Sequence, residues 1–138
     1  MTLPEILVRP PVTPLAWLET FAACVRARDY DAGRELFDND VTAFGTVSNE
    51  MQGLDALVRE QWRHVWGATE GFDFLSDTVH VQTIGACAWA GAQWQSTGRR
   101  AVGRPFLRHG RATYVLRRND AGIWLAVHSH HSFVPAST

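Results

Sequence analysis

Apolar residues recur at steps of three and four through the first half of the chain and at steps of two through the second. The pattern therefore predicts helices first and strands later. Thr13-Pro14 reads as a helix start, a capping hydroxyl followed by a first-turn proline, and Trp17, Leu18, Phe21, Ala22 and Val25 then mark one helical face. Asp29 and Asp31 interrupt that helix and cap a second, short one ending near Leu36-Phe37. Asp38-Asn39-Asp40 is expected to turn the chain into a strand, Val41–Phe44. From Gly53 to Trp66 the periodicity is clearest: Leu54, Leu57, Val58, Trp62, Val65 and Trp66 share a face, and Gly67 stands where a left-handed C-terminal residue belongs. Such a stripe reads first as core-facing. Four long strands follow, at about 72–83, 86–97, 106–118 and 122–133, and their length suggests a strongly curved sheet. In RRNDAGIW (117–124), Asn119-Asp120-Ala121-Gly122 joins the last two as a hairpin. Helices before strands make an α+β fold.

The chain has 138 residues, which suits one domain. Four of its six prolines lie in the first fourteen residues, so an extended arm over 1–13 is expected ahead of a single domain over 14–138. Residues 1–70 carry six Arg against eleven acids, and residues 71–138 seven Arg against three. An anion-binding second half is one reading, and internal pairing the other. The basic residues are not massed on one predicted helix, so nucleic acid is not an expected partner. All thirteen basic residues are Arg, which reflects composition bias and not chemistry. Cys24 and Cys87 are too few for a disulfide framework or a structural zinc site. No apolar run approaches the roughly 20 residues of a membrane span, and the start lacks a signal pattern, so a cytoplasmic setting is expected.

The densest chemistry is WLAVHSHHSFVP (124–135), with His128, His130 and His131 within four positions. Neighbours at i and i+1 on a strand point apart, so three-His metal binding is geometrically poor, although a His128/His130 pair with an outside ligand stays open. We expect no metal and no cofactor.

The order of elements, with VTAF at 41–44, GLD at 53–55, Trp66, RRNDAGIW and VHSHHS at 127–132, resembles the nuclear-transport-factor-2-like superfamily over roughly residues 14–135. Within it the chain is most similar to the association domain of calcium/calmodulin-dependent kinase II and its stand-alone bacterial relatives, and more loosely to SnoaL-type polyketide cyclases and ketosteroid isomerases. The resemblance implies a cone-shaped barrel, in which about three helices close one side of a curved antiparallel or mixed sheet around a pocket. It also implies dimer contacts on the convex side, hence a homodimer or higher oligomer. With no kinase domain ahead of it, a kinase-hub role is not expected.

The resemblance also implies which side chains enter the pocket. The matching positions of association domains point His131 and Thr113 inward, and alternation then adds His109, Arg111 and Val115 on one strand, Ala88, Ala90, Ala92 and Trp94 on another, and Val127 and Ser129 on the last. Trp124, Ala126, His128 and His130 fall outside, with Trp89, Gln93, Tyr114 and Leu116. Trp17, Trp62, Trp66 and Trp94 would line an aromatic cavity, with Arg111, Thr113 and Ser129 as polar contacts. Isomerase relatives place a general-base Asp where this chain has Gly45, which removes that base and leaves His131 or His109 as acid/base candidates. Three functions follow: binding of a small aromatic or acidic molecule, an enzyme of the cyclase, isomerase or dehydratase type, or an oligomerisation module.

Overall fold

The computed structural model describes residues 9–135; most of the expected N-terminal arm lies outside them. Thr13 accepts the Ala16 N–H at 3.0 Å and opens α1 (Pro14–Ala27), which buries Trp17, Leu18, Phe21, Ala22 and Val25 as its periodicity predicts. Arg28 ends the helix in the left-handed region, at φ 55°, an unfavourable place for a residue with a Cβ. Its guanidinium offsets that cost by donating to the carbonyls of Trp66 and Thr69, each at 3.0 Å. Asp29 then caps α2 (Tyr30–Arg34) through the Ala32 N–H.

The third helical stretch is not one regular helix. It is α-helical in α3 (Leu54–Leu57), π-helical over Val58–Trp62, α-helical again in α4 (Arg63–Val65) and 3-10 over Trp66–Ala68. Gly67 is not left-handed. The expected glycine cap is replaced by the 3-10 turn and the Arg28 side chain, which takes up the terminal carbonyl.

The strands are β1 (Phe37–Phe44), β2 (Met51–Gln52), β3 (Thr69–Phe74), β4 (His80–Ile84), β5 (Cys87–Gly98), β6 (Phe106–Arg118) and β7 (Trp124–Phe133). They form one curved sheet, ordered β2-β1-β7-β6-β5-β3, with β4 also on β5. It is not closed into a barrel, and β1 runs parallel to β7 while the other pairs are antiparallel. The Asp38-Asn39-Asp40 segment lies within β1, and the strand expected over 72–83 is two strands separated by a 3-10 turn at Ser76–Thr78. Each half takes its own end of the twelve-residue β5. Thr78 seals the break by accepting the Gln93 N–H at 2.9 Å. The β6–β7 hairpin turns on Asn119, whose Oδ1 accepts the N–H groups of Ala121 and Ile123 at 3.0 Å.

Cross-strand partners share a face, so the register decides which residues enter the core. Ala92, Ala112 and His131 stand in one row, and Ala90, Tyr114 and Ser129 in the next; all six face the helices. Arg111, Thr113 and Val115 are therefore on the opposite, outer face, and so is His109, contrary to the parity carried from the resemblance. A one-residue slip moves every side chain of a strand to the other face. Tyr114 and Leu116, expected outside, are fully buried. On β7 a bulge at Val127 changes the alternation, because Leu116 pairs with Ala126 but Val115 with His128. Trp124 and Ala126 are inward before the bulge, Ser129 and His131 after it, and Val127 is the bulged residue, not part of the inward row.

Candidate functional site

Between α1, the third helical stretch and the inner face of the sheet lies a narrow cavity of about 40 Å³, where about 10–15 Å³ admits one water. Its walls are aromatic. Trp62 and Trp66 stack at 4.4 Å with their planes at 20°, and both press on Gly33, where a Cβ would stand 2.8 Å from Trp66. Phe21, Phe37 and Phe72 continue the wall. Of the expected pocket residues, Trp62, Trp66, Trp94, Ser129 and His131 line this cavity. Trp17 lies behind it in the core, wholly buried, with its indole N–H donated to the Leu36 carbonyl at 2.8 Å.

The far end is polar. Trp94 lies flat over Gly110, where a Cβ would come within 2.1 Å of the indole and 2.4 Å of the Ser132 carbonyl oxygen. Glycine is therefore what lets the ring occupy the sheet surface. The Trp94 N–H is buried with no partner among the described residues, an arrangement costing about 1–3 kcal/mol unless something accepts from it. Arg108 reaches the same end, its guanidinium 5.4 Å from the Trp94 ring and 5.2 Å from that of Phe133. Burial lowers the Arg108 pKa from its ordinary value. An arginine guanidinium keeps its charge in a protein, so the group remains a cation.

His131 is ringed by Tyr114, Trp94, Phe21 and Phe72 at centroid distances of 5.3–6.4 Å. Desolvation pushes its pKa down to about 3, with the charges of His130 and Arg108 adding to the effect. The Tyr114 hydroxyl, itself held well above its usual pKa by burial, is hydrogen-bonded to His131 Nε2. With a neutral ring whose Nε2 accepts the tyrosine proton, Nδ1 carries the hydrogen. His128 and His130 are on the other face beside Phe44, and His128 Nδ1 donates to the Thr42 carbonyl at 2.7 Å. The three imidazoles do not converge.

Among the described residues no lining side chain carries a carboxylate. At Gly45, where relatives would hold a base, an added Cβ would lie 2.3 Å from Gln61 Oε1. Gln61 occupies that space as a structural amide, accepting from the Val47 N–H at 3.0 Å and donating to Thr46 Oγ1 at 2.8 Å. Arg111 and Thr113 border an outer groove with Gln93, His130 and Ser132 instead, and His109 bonds Gln93 at 2.9 Å. The inward guanidinium is that of Arg108, which the sequence reading passed over. Its signal was present: Ala112, Tyr114 and Leu116 alternate with Arg111, Thr113 and Arg117, and the same period brings residue 108 onto the apolar side.

An open sheet wrapped on three helical segments, with a cavity closed by aromatic rings, is the architecture of the nuclear-transport-factor-2-like, or cystatin-like, class. The model of the SnoaL-like domain matches residues 15–137, and the chain belongs to that family. No curated protein matches it. Among solved structures, it is similar to a nuclear transport factor 2-like superfamily protein from Salmonella enterica (20% identity, 88% of each chain, TM-score 0.75). A protein named for the calcium/calmodulin-dependent protein kinase II association domain, from Xanthomonas campestris, is also similar (17% identity, 94% of this chain and 95% of that one, TM-score 0.76). So is a ketosteroid isomerase-like protein from Erwinia carotovora atroseptica (17% identity, 88% and 94%, TM-score 0.74). At such identities the likeness is one of fold.

Proposed function

We propose that the protein binds a small organic acid in the inner cavity, with the carboxylate received by Arg108, the Trp94 N–H and His131 Nδ1, and the apolar body set among Phe72, Trp62 and Trp66. The observation that carries this reading is the orphaned, buried Trp94 N–H beside an inward guanidinium that has no carboxylate partner among the described residues. Arg108 donates only to Ser96 Oγ, at a long 3.5 Å, and the Trp94 N–H to nothing among the described residues; donors so placed call for an acceptor-bearing ligand. Proton-transfer chemistry fits less well, because a histidine pushed down to about 3 is a weak base near neutral pH and its Nε2 is already engaged. The bare outer face, with Trp89, Phe44 and Val115 between 36% and 41% exposed, supports self-association through that surface. The charge of the pocket is the first thing to test. Calorimetry with glycolate, acetate and propionate, against their neutral amides, should give binding to the acids alone. Since a charge-assisted hydrogen bond is worth about 1.5–3 kcal/mol, Arg108→Gln should weaken it about ten- to a hundredfold, whereas Arg111→Gln should leave it unchanged. Equal binding of amides and acids would sink the proposal.

A further inference from the structure

Besides Arg108 and Trp94, the cavity wall has a second polar stretch, which starts from the π-helical turn at Val58–Trp62. That turn sets Gln61 in the wall, 8% exposed. Its Oε1 accepts the N–H groups of Val47 and Ser48 at 3.0 and 3.4 Å, and since a backbone N–H only donates, the amide can stand only one way round. Nε2 therefore faces Thr46 Oγ1, at 2.8 Å. That bond uses one of its two hydrogens, and the other has no acceptor among the described residues. The register places this amide beside His131. β1 and β7 run parallel with Ala43 opposite Ser129 and Phe44 opposite His130, so Gly45 comes next to His131, about 5 Å across on the neighbouring strand. Gln61 Oε1 fills the space over that glycine, 2.3 Å from where its Cβ would be. Ser129 precedes His131 by two residues on β7, on the same inner face and about 7 Å along the strand. It is 3% exposed, lines the cavity and has no side-chain hydrogen bond among the described residues.

Buried polar groups are almost always hydrogen-bonded, so a free hydroxyl and a free amide hydrogen flanking His131 in one cavity wall call for an oxygen between them. We propose that Ser129 and Gln61 form a neutral polar subsite next to the carboxylate site, and that the ligand is a short 2-hydroxy acid whose hydroxyl they receive. The inference rests on the inner-cavity reading for the carboxylate only. His131 joins the two subsites, because in that reading its Nδ1 donates to the acid. Two hydrogen bonds of about 2.8 Å, one to each end of a molecule whose carboxylate and hydroxyl oxygens are close neighbours, match the step of about 7 Å from His131 to Ser129. A cavity of about 40 Å³ suits such a short chain. Neither Ser129 nor Gln61 carries charge or takes a proton near neutral pH, so the subsite selects a hydroxyl and does not replace the base that Gly45 leaves out.

Titration calorimetry with acetate and glycolate, each beside its amide, tests this. A site built to bond an oxygen discriminates against the analogue that lacks it, because its own buried groups are then left unpaired. Glycolate should therefore bind about three- to tenfold more tightly than acetate. Ser129→Ala should bring glycolate down to the affinity of acetate and leave acetate as it was, so that acetate reports on an intact cavity. Ser132→Ala, on the outer groove, should keep the glycolate preference. Equal affinities for the two acids in the parent, a preference that survives Ser129→Ala, or loss of acetate together with glycolate in that variant overturns the hydroxyl subsite. The carboxylate reading fails on different evidence. If acetamide binds like acetate and glycolamide like glycolate, that reading falls, while a glycolamide preference that needs Ser129 leaves the hydroxyl subsite standing alone. If none of the four probes binds, both fall.

Discussion

The two faces of the β5–β6–β7 sheet are built from alternate residues of the same strands, yet they differ in tolerance as well as chemistry. On the inner face Ala90, Ala92, Ala112 and Gly110 are small and share the core with large rings: Trp94 lies over Gly110, and Trp17 and Tyr114 pack 4.6 Å apart between centroids. At Gly110 the small residue is what the ring requires. On the outer face Trp89, Thr113, Arg111, His128 and His130 meet no second layer among the described residues, and their side chains bond sideways within the sheet or stand free. The inner face is therefore set by volume, the outer by what it could contact.

Two glycines sharpen that contrast most. Gly110→Ala would force a methyl into Trp94 and the Ser132 carbonyl oxygen, and overpacking against backbone should cost about 3 kcal/mol or more. Gly91, one residue before Ala92 on the outer face, meets nothing nearer than 3.6 Å, so Gly91→Ala should be neutral or stabilise by about 0.4–1 kcal/mol. Urea unfolding of both variants checks the pair; similar losses would mean that the faces are not distinguished by packing.

Acid separates the faces next. His131 is neutral in the folded state to about pH 3, but in the unfolded chain it takes a proton below about 6.5. The unfolded state thus binds the extra proton across that window, so stability is full above about pH 6.5 and falls as pH drops toward 3, by up to about 1.4 kcal/mol per unit from this group. In His131→Gln, whose amide oxygen can still accept from Tyr114, that portion of the slope should disappear, whereas His130→Gln on the outer face should retain it. Denaturation midpoints from pH 7 to 4 read the difference.

The outer face should govern assembly more than folding. Trp89→Glu with Val115→Glu should lower the mass seen by light scattering at micromolar concentration to that of a single 15.4 kDa chain, with little change in melting of the monomer. A parent protein already monomeric there would leave the outer surface without the contact proposed for it.

Much of this was legible in the chain. The period-3.6 stripe of α1 and the Thr13-Pro14 start gave its cap and buried face, and RRNDAGIW gave the last hairpin. Asn119 explains why that turn was readable: its side chain closes the turn with its own neighbours, so local sequence suffices. The aromatic wall was readable in part, through Trp62, Trp66 and Trp94. The inward arginine was not assigned, because a parity borrowed from the resemblance displaced the alternation of Ala112, Tyr114 and Leu116 that β6 itself displays.

The sequence by itself determined α1 with its cap, the last hairpin, the order of helices before strands and the absence of a carboxylate at residue 45, since caps, turns and periodicity depend on neighbours a few positions apart. Only the tertiary structure decided which face each strand turns inward. That choice depends on register between β6 and β7 and on a single extra residue at Val127, and both are settled by cross-strand packing. It also decided that Arg28, left-handed at the end of α1, closes a helix some 38 residues further along, and that Gln61 fills the space above Gly45. Contacts of that range follow from the fit of side chains from distant segments, which no window of sequence contains.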